Sequence, residues 1–119
     1  MHLVRKLRIT RLKARHIRNC SFVIRNQIMI VARKLIVSGL VQGVGFRFFT
    51  QRAAARHQVL GYVKNLKDGR VEAFVQGSEL AVDAFKHDFA VGPTYSKVDE
   101  IEEIVLEPNK IYTSFRIER

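Results

Sequence analysis

At 119 residues with 47% apolar side chains, the chain has the length of one domain and enough apolar content for one core. No apolar run approaches the about 18 residues that a membrane-spanning helix needs. A single cysteine, Cys20, excludes an internal disulfide framework and a Cys/His zinc site, and points to a reducing, cytoplasmic setting. The formal charge of +10 suggests nucleic acid or anionic lipid until it is located: eight Lys/Arg and no acid fall in residues 1–28, and the 13 basic and 11 acidic residues beyond them leave a surplus of only two.

Three readings fit residues 1–28. One is a basic, transit-like leader, against which stand the scarcity of serine and the lack of an apolar core or cleavage site. The second is a tail for nucleic acid or a membrane surface. The third is an upstream extension with no folded role, so that the functional domain begins near Met29. Leu3, Leu7, Ala14 and Ile17 fall near one helical face, which is compatible with a marginal helix. The division taken is 1–28 as an extension outside the core fold and 29–119 as the domain.

From there the pattern is sharper. The Val/Ile-rich run before Leu40 predicts a strand over about Arg33–Leu40. After a glycine-bearing loop, Phe49, Ala53 and His57 recur every four residues with Ala54 beside them and Arg52 and Arg56 outward, predicting a helix from Arg47 to about His57. Gln58 stands where a helix-ending glycine would be more comfortable. Leu60–Leu66 predicts a second strand, Lys67-Asp68-Gly69 a hairpin turn, and Arg70–Gln76 a third strand that Gly77 breaks. Ser78 suits an N-cap, and Ala81, Phe85 and Phe89, flanked by Leu80 and Ala84, predict a second helix ended by Gly92-Pro93. Ser96–Leu106 reads as a long strand with a bulge, its acids Asp99, Glu100, Glu102 and Glu103 solvated and guarding an edge. Ser114–Glu118 closes the chain as a short strand. The order βαββαβ plus a short C-terminal strand, with right-handed crossovers, predicts an α+β ferredoxin-like sandwich: an antiparallel sheet carrying two helices on one face.

The stretch Gly39-Leu40-Val41-Gln42-Gly43-Val44-Gly45-Phe46-Arg47 joins the first strand to the first helix. A glycine-bearing loop opening a helix is a ready anion cradle, because its N–H groups lack intrahelical partners and the helix dipole favours negative charge there. Gly43 and Gly45 allow close backbone approach. Arg47 adds a guanidinium fork matched to phosphate, at a helix start where a cation is otherwise disfavoured.

Together with Gly61-Tyr62-Val63-Lys64-Asn65, this stretch resembles the paired signatures of the acylphosphatase family, over nearly all of the chain from about Met29 to Arg119. The resemblance implies hydrolysis of acyl phosphates to a carboxylate and inorganic phosphate, with no metal and no cofactor. It places the catalytic arginine on Arg47 and the catalytic asparagine on Asn65. The phosphate-binding loop falls on Gln42, Gly43, Val44, Gly45 and Phe46. The chain departs from the family in its basic extension, in Gln58 where glycine is common, and in Tyr62 where many members carry tryptophan.

Other residues have plainer readings. His57 and His87 have no partners at metal spacing, and His2, His16 and Cys20 belong to the extension. Ser38 lacks the context of a nucleophile elbow. Thr50, one turn after Arg47, is either a brace for the site or a core-edge hydroxyl. Two alternatives stand beside hydrolysis: a nucleic-acid-binding ferredoxin-like module, against which Glu72 occupies a position where a base would stack, and a non-catalytic anion-binding or carbamoyl-phosphate-handling module. The expected state is a monomer with no nucleic-acid partner for the core domain and no membrane span; the length suits a free-standing enzyme.

Overall fold

A computed structural model describes residues 29–119. The expectations for the extension, including those for His2, His16 and Cys20, fall outside the described residues. The elements follow the predicted order: β1 Ile30–Leu40, α1 Phe46–His57, β2 Leu60–Asn65, β3 Val71–Ser78, α2 Glu79–Val91, β4 Lys97–Leu106 and β5 Phe115–Glu118. They form one five-stranded sheet in the order β4-β1-β3-β2-β5 with both helices packed against it. This is the ferredoxin-like α+β sandwich.

Alternation along the central strands builds the core. Leu35 and Val37 of β1, Val63 of β2, and Val71, Ala73 and Val75 of β3 face the helices and are fully buried. Against them α1 places Phe46, Ala53 and Ala54, and α2 places Val82, Phe85 and Phe89. Phe46 meets Phe89 edge-on at 5.4 Å between ring centroids. The inward stripe of α2 therefore runs through Val82, while Leu80, expected beside it, is 84% exposed. Positions 82, 85 and 89 keep the three-then-four spacing that holds one face of a helix. Thr50 is wholly buried, and its hydroxyl donates to the Phe46 carbonyl at 2.8 Å, so it is a satisfied core residue rather than a brace for the site. Ser78 caps α2 as predicted, accepting from the Ala81 N–H at 3.2 Å.

Three expectations are corrected. Gly77 does not break β3: the strand runs on to Ser78, paired to Val31 and Ile30, because Val59 packs so close that a Cβ at position 77 would lie 3.1 Å from it. The sheet is antiparallel through β4-β1-β3-β2, but β5 joins β2 in parallel. The connection after Leu106 carries the chain from one edge of the sheet to the other, which sets that direction. It crosses the face opposite the helices, where Asn109 exchanges two hydrogen bonds with Gln76 and Tyr112 packs at a tilt on Phe74, 5.0 Å between ring centroids. Glu103, finally, is not solvated. The register places it opposite Leu35 on the helix side, 2% exposed, held by Arg33 Nε at 3.0 Å and Lys86 Nζ at 3.1 Å.

The expected bulge is present. Opposite Ser38 and Gly39 the partner jumps from Glu100 to Val98, leaving Asp99 as the extra residue. That one-residue offset lets both Val98 and Ile101 reach the core despite their odd spacing.

Candidate active site

The site grows from the junction of β1 and α1. Val41, wholly buried, pins the start of the loop to the core. Gly43 and Gly45 then adopt φ 77°, a left-handed conformation that L side chains avoid. Gly45 is the N-cap of α1, whose first regular bond runs from the Phe49 N–H to the Gly45 carbonyl at 2.9 Å. Among the described residues, nothing accepts a hydrogen bond from the backbone N–H groups of residues 43–48. Six donors are thus left without a partner among the described residues around the positive end of a helix with no acid in its first turn. Phe46, 2% exposed and wedged against Phe89, fixes where that end points.

Asn65 is delivered from the other side. It ends β2 on the helix face, in phase with Gly61 and Val63. Its side chain makes no hydrogen bond to any described residue, and neither does that of Arg47, which also has no ion pair among them. Both line one hollow of about 210 Å³ together with Gly43, Gly45 and Phe46. Its remaining walls are Val41, Phe48 and Ile117. Among the described residues, no three His, Cys, Asp or Glu side chains gather closely enough to hold a metal ion.

Of the residues singled out in sequence, Gly43, Gly45, Phe46, Arg47 and Asn65 are brought together. Val44 and Gln42 do not line the hollow. The Gln42 side chain turns to the hairpin instead, its amide donating to the carbonyls of Leu66 at 2.8 Å and Arg70 at 2.9 Å. It ties the loop to the β2–β3 turn, which Asp68 shapes by accepting from the Arg70 N–H at 3.1 Å and Arg70 Nε at 2.8 Å. The backbone N–H of Arg70, then its side chain, hold the Asp68 carboxyl below the usual range. Phe48 and Ile117 were not singled out. Phe48 adjoins the motif and carried no chemical signal, and Ile117 arrives only through the parallel pairing of β5, where it stands opposite Val63.

Comparison with known proteins bears on the family and the fold. The family model for acylphosphatase matches residues 33–117. An acylphosphatase of Bifidobacterium longum is 47% identical over 72 residues, covering 60% of this chain and 74% of its own. One of Archaeoglobus fulgidus is 43% identical over 88 residues, covering 74% of this chain and 98% of its own. The crystal structure of acylphosphatase from Bacillus subtilis superimposes with a TM-score of 0.72 at 37% identity, covering 76% of this chain and all of that one. A family model that matches residues 33–117, relatives above 40% identity and the shared sandwich together show that the chain belongs to the acylphosphatase family.

Proposed function

We propose that the chain cleaves the carboxyl–phosphate bond of acyl phosphates with Arg47 and the loop amides as the phosphate grip and Asn65 as the residue that aims the water. The supporting observation is the shared hollow, lined by a guanidinium, a carboxamide and residues of a loop whose N–H groups, like those two side chains, have no partner among the described residues. An acyl phosphate is already activated, since its leaving carboxylate is a weak base. The protein's task is to hold the phosphoryl group, neutralise its charge and place a water in line. The loop N–H groups of Gly43, Gly45 and Phe46 and the Arg47 fork bind the non-bridging oxygens. The Asn65 amide both accepts from and donates to a water; having no useful pKa, it orients that water rather than deprotonating it. The water oxygen bonds to phosphorus, the bond to the acyl oxygen breaks, and the electron pair leaves with the carboxylate. Both hydrogens of the water leave on inorganic phosphate. No metal or organic cofactor is needed for any of these steps.

In this reading the catalytic unit is residues 29–119, acting as a monomer in the cytoplasm. No helix among the described residues is long and apolar enough to cross a membrane. Benzoyl phosphate hydrolysis in the presence of a chelator, compared with a phosphate monoester, tests the reading: preference for the monoester or loss of activity on chelation overturns it. Asn65→Ala is expected to lower kcat by about 10²–10³-fold with unchanged folding, and wild-type turnover by that variant removes the water-positioning role. Hydrolysis by residues 29–119 alone, at the rate of the full chain, is the expected result for the domain boundary; a large loss gives the extension a part in turnover.

The nucleic-acid alternative needs aromatic rings open to solvent on the sheet face away from the helices. Tyr62 and Phe74 do lie there, but Tyr112 packs on both, and Glu72 accepts from the Tyr62 hydroxyl at 2.6 Å. Burial and that carboxylate push the Tyr62 hydroxyl well above its ordinary pKa. The rings are already stacked on one another.

A further inference from the structure

The grip just described addresses the phosphate and leaves open what the acyl group meets. Beyond Arg47 the hollow has no charged wall. Its rim is formed by Phe48, which is 60% exposed, and Ile117, 36% exposed. The two come from opposite sides, one from the first turn of α1 and one from the edge strand β5. The Phe48 ring is steadied by the Arg52 guanidinium, 5.9 Å from its centroid and one turn along the helix. The charges next to Ile117 in sequence, Arg116 and Glu118, alternate onto the other side of the sheet, in register with Tyr62 and Lys64. Single exposed apolar side chains are ordinary. Two that flank the exit of a phosphate-sized hollow are placed where a substituent on the phosphate must emerge.

We infer that Phe48 and Ile117 form an apolar acyl subsite that selects uncharged, hydrophobic acyl phosphates over those whose acyl chain carries a carboxylate. This rests on the acyl phosphate reading and names the substrate class within it. A ring or aliphatic chain leaving the phosphate loses water contact against these two side chains. A second carboxylate would be desolvated there, with Arg47 committed to the phosphate, Arg52 set against the Phe48 ring and no other charged group among the described lining residues.

The test measures kcat/KM of the full chain for acetyl, benzoyl and succinyl phosphate, each divided by its rate of uncatalysed hydrolysis. The wild type is expected to favour benzoyl over succinyl phosphate by about tenfold. Phe48→Ala and Ile117→Ser are each expected to lower the benzoyl value about tenfold while leaving the acetyl value within about threefold, and Phe48→Leu to keep most of the preference. Thermal unfolding of each variant establishes that the fold is intact, as suits two partly exposed positions. An equal fall for all three substrates, no change for any, or a wild-type preference for succinyl phosphate overturns the subsite. Failure of the wild type to hydrolyse any of the three overturns the acyl phosphate reading itself, and the subsite with it.

Discussion

Two arginines on neighbouring elements have opposite surroundings. Arg33 on β1 lies beneath the helices, bonded to Glu103 and to the Ala32 carbonyl at 2.8 Å. Arg47, on the first turn of α1, borders a hollow and has no side-chain partner among the described residues. The contrast extends to their neighbours: Glu103 is shared with Lys86, whereas Asn65 makes no side-chain hydrogen bond to any described residue. Among the described residues every deeply buried polar side-chain atom has a partner. Where polar groups serve the fold they are satisfied internally; where they are left open they face water, and in our proposal a substrate.

Breaking each member of that pair should separate stability from turnover. The largest effect is expected at Arg47: Arg47→Ala is expected to lower kcat/KM for benzoyl phosphate by about 10³-fold with no loss in unfolding midpoint, since the side chain bonds to no other described residue. Next is Glu103→Gln, which removes the carboxylate charge that Arg33 and Lys86 share and is expected to destabilise by about 3 kcal/mol, read by urea unfolding, with kcat unchanged. A smaller gain is expected from Gln58→Gly. Gln58 ends α1 at φ 58°, donating its N–H to the carbonyls of Ala54 and Ala55. Removing its Cβ from that left-handed conformation should add about 1 kcal/mol of stability and leave activity alone.

The smallest effect concerns acid. Partial burial pushes the Asp88 carboxyl up, but hydrogen bonds from His57 at 2.7 Å and Arg56 at 2.8 Å outweigh it and hold the group below its ordinary value. Because the folded-state value lies below the unfolded one, the stabilisation is complete above the normal aspartate range, about pH 4. It is lost as pH falls through the lowered value. The unfolding midpoint should therefore fall on acidification, less steeply in Asp88→Asn.

How much of this was legible in the sequence depended on chain distance. Loop, helix start and signature asparagine are each encoded within a few neighbouring residues, and the periodicities that place them are local. Glu103 looked solvated because its neighbours are acids; only the bulge at Asp99 and the register with Leu35 reveal its inward direction. Ile117 could not be placed beside Asn65, because the parallel pairing of β5 depends on a connection crossing the sheet. Gly77 read as a break because glycine usually interrupts strands; the closeness of Val59 reverses that meaning. In each miss a non-local contact overrode a sound local preference.

The Gln42 amide has a wider consequence. Both of its amide hydrogens are committed to carbonyls of the β2–β3 hairpin, so the surface turn and the glycine loop are tied together. Lengthening that turn by a residue would carry both acceptors away, and Gln42→Glu would set a negative charge against two carbonyl dipoles. Surface hairpins are usually where a protein best tolerates insertion. Here an insertion is expected to disturb the loop after β1 as well, through the two Gln42 hydrogen bonds.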